Sequence, residues 1–192
     1  MRPVIALLLL ALAAGCSGSP SATRPTVPGF TASASPSAGA ARPVPKSCGG
    51  IATQSEVSDL LNVAVSGQTL PVVGVPEPKI GRTARLDCYY GVPEGKPVAA
   101  AVLTIGLASY TDEAAARRRM SSTVESERDA GAKASDVPVG ADRGILLSGA
   151  KRILVAVRGR VTVVITVVKD LIPDEQAGTL LGSLADRALT GR

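Results

Sequence analysis

The chain of 192 residues has no histidine and no tryptophan, and only one phenylalanine and three tyrosines. Without imidazole, a serine or cysteine hydrolase triad of the usual kind, a histidine-ligated zinc and histidine proton shuttling are all excluded within it. So few rings leave little for stacking bases or sugars, and a net charge of +5 is modest, so nucleic acid is not an expected partner. No metal or cofactor is expected. Carboxylates, lysines and tyrosines are the only remaining catalytic material. Long hydrophobic runs are also scarce: Val4 to Leu12 is too short to span a hydrocarbon layer of about 30 Å.

What that run does form is an export signal. Arg2 precedes it, and the small residues Ala13, Ala14 and Gly15 follow, directly before Cys16. Residues 1–15 resemble the bacterial lipoprotein signal, with Ala13-Ala14-Gly15-Cys16 in the place of the lipobox and Leu12 one position upstream of the family's leucine. The resemblance implies diacylglycerol on the Cys16 sulfur, cleavage between Gly15 and Cys16, and a new amine open to acylation, for example by palmitate. Acyl chains contribute about 0.8 kcal/mol per buried CH2, so two or three hold firmly where one does not. The expected place is the outer face of the cytoplasmic membrane. Loss of Arg2 lowers the net charge from +5 to +4, which suits a surface of anionic lipids or polymers. The alternative is a plain secretory signal that happens to end at a cysteine.

Three cysteines divide into one plus two. If Cys16 carries lipid, Cys48 and Cys88 are left outside the cytoplasm, where disulfides persist, and they are expected to be joined. The alternative, a two-cysteine metal site, lacks further thiolate or imidazole ligands.

Residues 16–46 read as the lipidated cysteine and a tether of Ser, Ala, Pro, Gly and Thr, unable to offset its ordering entropy by burial and so disordered. Its prolines extend it, and its hydroxyls invite O-glycosylation on composition alone. Residues 47–192 read as one globular α+β domain: a mostly antiparallel sheet of about five strands, two or three helices and one disulfide.

Within it, Thr53-Gln54-Ser55-Glu56 is a capping box opening a helix to Asn62. Val65 to Arg85 is broken by glycine and proline, so only short extended pieces such as Thr69 to Val75 are expected. Lys79, Arg82 and Arg85 cluster there and are expected to have no acidic neighbours; they are candidate contacts for an anionic partner, or a solvated basic loop. Leu86 to Tyr90 and Val98 to Ala108 read as a paired hairpin. Thr111 caps a long helix to Ala130, around which Arg117, Arg118 and Arg119 fan out as a phosphate contact or a solvated face. Gly144 to Ser148, Arg152 to Val157 and Val161 to Val168 form a meander, the last strand apolar on both faces as a covered central strand would be. A last helix begins at Pro173-Asp174-Glu175, with Gly178 and Gly182 allowing close packing on the sheet.

Cys48 ahead of a short capped helix, the phrase Glu56-Val57-Ser58-Asp59-Leu60-Leu61, and Cys88 followed by Tyr89 and Tyr90 together resemble the DUF3558 family of small actinobacterial cell-envelope lipoproteins of unknown function. That family commonly has tryptophan after its second cysteine, where Tyr89 stands here. The resemblance implies an extracytoplasmic α+β domain with one disulfide and supplies no catalytic residues.

Three functions are compatible with these residues. The first is a non-catalytic binding or accessory module, held to the membrane through lipid on Cys16, whose partner is an envelope protein, polymer or small ligand. The second is a carrier of an apolar ligand or lipid between sheet and helix. The third is a carboxylate-dependent hydrolase, for which Asp87, Asp112, Glu113, Asp170, Asp174 and Glu175 are the material; two acids would have to meet at one cleft.

Overall fold

A computed structural model describes residues 42–191. The signal, Cys16 and most of the tether lie outside the described residues. Three helices surround a seven-stranded antiparallel sheet. In chain order the elements are α1 (Gln54–Leu61), β1 (Gln68–Gly74), β2 (Arg82–Val92), β3 (Leu103–Tyr110), α2 (Glu113–Asp129), β4 (Lys133–Val139), β5 (Asp142–Ser148), β6 (Lys151–Arg158), β7 (Val161–Val168) and α3 (Asp174–Thr190). The sheet order is β1-β2-β3-β7-β6-β5-β4.

The expectation of about five strands is corrected to seven. The two edges are β1, which meets the expectation of an extended piece at Thr69 to Val75, and β4, which no expectation covered; each carries a proline, Pro71 or Pro138. A residue without an N–H is tolerated where one side of the strand has no neighbour, so the feature that argues against a strand in sequence here marks its position. The hairpin is also shorter at one end than expected, because Val98–Ala100 forms a 3-10 turn ahead of β3. The helix cap expected at Thr111 is Asp112, whose carboxylate accepts the Ala115 N–H at 2.7 Å. The capping box of α1 is as expected: Glu56 accepts from Thr53 N–H at 2.7 Å, and Thr53 Oγ1 accepts from Glu56 N–H at 3.2 Å.

The helices sort onto opposite faces. One face of the sheet is covered by α3, with α1 against it. Leu86, Cys88 and Tyr90 of β2, Leu103, Ile105 and Leu107 of β3, and Val161, Val163, Ile165 and Val167 of β7 all point there and are buried. Cys48 and Cys88 are disulfide-bonded across 40 positions of sequence, fastening the start of the domain to β2. The Tyr90 hydroxyl donates to the Ala52 carbonyl at 2.8 Å, and burial raises its pKa beyond the usual phenol range.

Two buried arginines on this face of β6 clamp α3 at both ends. Arg152 bonds Asp174 and the Ile172 carbonyl, while Arg158 bonds Asp142 at 2.6 Å and Asp186 at 3.0 Å. Six strand residues and twelve helical residues each span about 18–20 Å, so the two pairs fall in step. Gly178 and Gly182 lie against β4, and a Cβ at Gly182 would collide with the Pro138 carbonyl oxygen.

The other face carries α2 alone, lying mainly over β6 and β7. Val124 of α2 is buried against Leu147 and Val155, with Met120 of the same helix and Val164 beside them. One helix cannot cover seven strands. Ala108 and Tyr110 of β3 pack against Ala115 and Ala116 of α2, while the surface of β2, the rest of β3 and one margin of β7 stay open beside it.

Candidate functional site

The open region is a grid fixed by strand register. Asp87 of β2 stands opposite Gly106 of β3, which stands opposite Val164 of β7. One step to either side, Tyr89, Thr104 and Thr166 form a second row, and Arg85, Ala108 and Thr162 a third. Arg119, Met120 and Thr123 of α2 make the wall. Together they enclose a cleft of about 160 Å³.

Its chemistry is polar where the opposite face of the same strands is apolar. Asp87 is only 7% exposed, and its Oδ2 accepts from Arg85 Nε at 2.7 Å. A buried carboxylate is costly unless paired, and Arg85 supplies the partner while remaining half-exposed. The bond to Asp87, ahead of every other influence, raises the pKa of Arg85. Gly106 makes the arrangement possible: a Cβ there would lie 2.6 Å from Asp87 Oδ1. The aspartate therefore folds down over the glycine, with Oδ1 above Gly106 and Oδ2 on Arg85, at the cleft that the threonines border.

A second, larger space adjoins the first. It measures about 480 Å³ and lies between the 3-10 turn Pro78–Ile80 and the flank of α2, with Lys79, Arg118, Arg119 and Ser122 around it. Arg119 borders both spaces.

The structure divides the three cations singled out in sequence. Lys79 is exposed on the 3-10 turn and borders the larger space. Arg82 bonds Glu77 at 2.8 Å and turns inward, and Arg85 lies in the cleft on Asp87. The expectation that these cations lack acidic neighbours is corrected: Glu77 and Asp87 each lie within five positions of the arginine they serve, brought to it by the turn and by the strand's alternation. Of the consecutive arginines, Arg117 bonds Glu113 at 2.6 Å, and Arg118 and Arg119 face the larger space.

Among the six candidate catalytic carboxylates, only Asp87 borders the cleft. Asp112 caps α2, Glu113 bonds Arg117, Asp174 bonds Arg152, and Asp170 and Glu175 are exposed. Cys16 lies outside the described residues. Among those described, no helix is long and apolar enough to cross a membrane, and no three Cys, Asp or Glu side chains gather as metal ligands would.

Sequence reasoning passed over Gly106, Thr104, Thr162 and Thr166. Two signals were present: a glycine inside a strand marks a close approach by another group, and Thr162 and Thr166 put hydroxyls on a strand that is otherwise valine and isoleucine.

These features define an α+β domain with one packed, disulfide-stapled face and one face holding a polar cleft. No family model matches the chain, and no curated protein matches it in sequence. In fold it is similar to the extracellular domain of PknH from Mycobacterium tuberculosis, at a TM-score of 0.51 and 11% identity, covering 77% of this chain and 97% of that one. At that identity the likeness concerns the fold alone.

Proposed function

We propose that this protein is a lipid-anchored, extracytoplasmic and non-catalytic binding module, whose soluble domain takes a small ligand or an exposed group of an envelope polymer in the cleft above β2, β3 and β7. One observation carries the reading: Asp87, Arg85, Thr104 and Thr166 converge on an open sheet face where packing does not require them. The fold's own needs are met by the apolar core, the disulfide and the α3 clamps on the other face and, on this one, by the apolar contacts of α2 with β3, β5 and β6. Likeness in fold to a domain described as extracellular is in keeping with the export signal, as is the lipoprotein-type Cys16, and the cysteine neighbourhoods still resemble the DUF3558 envelope lipoproteins.

A non-catalytic role is favoured by the lone carboxylate at the cleft, since glycoside hydrolysis of the usual kind needs two facing acids. The apolar carrier has less support. The space between α2 and the sheet sets Arg85, Asp87, Thr104 and Thr166 among its apolar residues, groups that an apolar ligand would leave unpaired. The two-sided apolar character of β7 follows from its central place between α3 and α2.

Two measurements test this reading. Intact mass of the mature protein should show diacylglycerol on Cys16, and an unmodified Cys16 would remove the anchor. Amide chemical-shift mapping during titration with fractionated envelope saccharides and metabolites should perturb Asp87, Gly106 and Thr166 first. Saturable binding that perturbs only residues remote from these would place the ligand elsewhere.

A further inference from the structure

The larger space beside the cleft is built for negative charge. Lys79, Arg118 and Arg119 border it, and none of them has a carboxylate within ion-pair distance among the described residues. The nearby acids are already engaged: Asp112 on the Ala115 N–H at 2.7 Å, Glu113 on Arg117, and Glu77 on Arg82. The two elements that carry the cations are also held in place relative to one another. Thr111 N–H donates to the Gly81 carbonyl at 2.8 Å, and Gly81 has φ of 70° with Thr111 Oγ1 2.8 Å from where its Cβ would be. Only a glycine lets the turn that carries Lys79 lie this close to the start of α2, the helix that carries both arginines.

Three cations and the Ser122 hydroxyl approach from two elements. A planar carboxylate is satisfied by one bidentate arginine, whereas a tetrahedral phosphate takes donors from several directions. The cleft next door is closer to neutral, because Arg85 is paired with the buried Asp87 carboxylate, and that pair offers a hydroxyl both an acceptor and a donor. Arg119 touches both spaces, so one elongated molecule can lie across them. At about 480 Å³ the charged space is within the range of ligand sites, and the 160 Å³ cleft adds room for a small polar group.

We propose that the ligand is a phosphate ester of a polyol or sugar, its phosphate held by Lys79, Arg118 and Arg119 and its hydroxyls by Asp87 and Arg85. This rests on the cleft being the binding site, and it adds the chemical class of the ligand. Phosphate esters occur both as free metabolites or polymer units and as lipid headgroups, and the test separates these sources.

The mature lipidated protein in neutral detergent is titrated with glucose 6-phosphate, glucose, glucuronate and inorganic phosphate, and separately transferred to micelles doped with phosphatidylglycerol, while amide shifts are followed. Glucose 6-phosphate is expected to bind at least ~tenfold more tightly than glucose or glucuronate, and to shift both the Lys79 turn and Gly106. Lys79→Gln and Arg118→Gln each alter an exposed side chain and should each weaken it by ~tenfold, the scale of one charge-assisted hydrogen bond, with glucose binding unchanged. Perturbation of both regions only in the doped micelles, abolished by the same variants, assigns the phosphate to a lipid headgroup and supports the proposal. Equal affinity for glucuronate or glucose, or no phosphate-bearing probe shifting the Lys79 turn, overturns it. Shifts at the turn with none at Asp87 or Gly106 would instead sink the cleft reading while leaving the anion site standing.

Discussion

The two faces of the sheet are made from the same strands and differ in almost every physical respect. On β2, Leu86, Cys88 and Tyr90 enter the core under α1 and α3, while Arg85, Asp87 and Tyr89 line the cleft beside α2. On β7, Val161, Val163, Ile165 and Val167 are buried beneath α3, and Thr162, Val164 and Thr166 form the margin of the open floor. Period-two alternation lets one strand satisfy both demands at once. The larger core, with the disulfide and the α3 clamps, lies on one side, and the smaller apolar patch under α2 leaves room on the other for polar residues beside it. The comparison makes a quantitative claim: changes on the covered face should cost stability, and changes on the open face should cost binding.

The largest expected effect is loss of the staple. Replacing both cysteines, Cys48→Ala with Cys88→Ala, should lower the unfolding free energy by about 4 kcal/mol, the loop-entropy scale for a closure of this length; urea denaturation of the two forms measures it. Next is Leu181→Ala, at a fully buried position of α3, with an expected cost of about 3 kcal/mol from lost transfer energy and a cavity. Thr166→Ala across the sheet should stay within about 0.5 kcal/mol of the parent, as substitutions outside the core do. If the two costs came out alike, the division between faces would be wrong. Asp87→Asn should come third, costing about 1 kcal/mol through the weakened bond to Arg85 while abolishing ligand-dependent shifts at Gly106.

The smallest effect is a pH dependence on the covered side. Glu56 is held at about 2, well below its ordinary 4.5, first by the Thr53 N–H, then by Arg187 at 2.7 Å and the Thr53 hydroxyl. A depressed carboxylate pKa contributes stability that is complete above the unfolded value and lost as pH falls through the folded one. Stability should therefore decline between pH 4.5 and 2, and Glu56→Gln should lack that part of the decline in acid titrations followed by circular dichroism. Parallel acid curves for the two proteins would contradict it.

Much of the covered face was legible in the sequence. The Thr53 to Glu56 spacing marked α1, the alternation of Val161 to Val168 marked a central strand, and the glycines of α3 marked close packing, because each follows from local pattern. The edges were only half legible: Thr69 to Val75 stood out as an extended piece within β1, whereas β4 did not, since Pro71 and Pro138 are compatible with strands only where one side is unpaired, which is a property of the assembled sheet. The cleft was less legible still. Asp87 and Gly106 lie 19 positions apart and become neighbours only through the register of β2 and β3, and the separate fates of Lys79, Arg82 and Arg85 depend on where Glu77 and Asp87 come to rest.

The most direct test compares adjacent residues of one strand. Thr104→Cys and Ile105→Cys are each exposed to a bulky maleimide in the mature protein under native conditions, with Cys48 and Cys88 joined and Cys16 acylated. Thr104 is half-buried at the cleft and Ile105 is fully buried on the opposite face. The thiol at 104 should react within minutes and that at 105 only as fast as the domain unfolds. Equal protection of both would mean that the second face is closed, and the binding site described here would not exist.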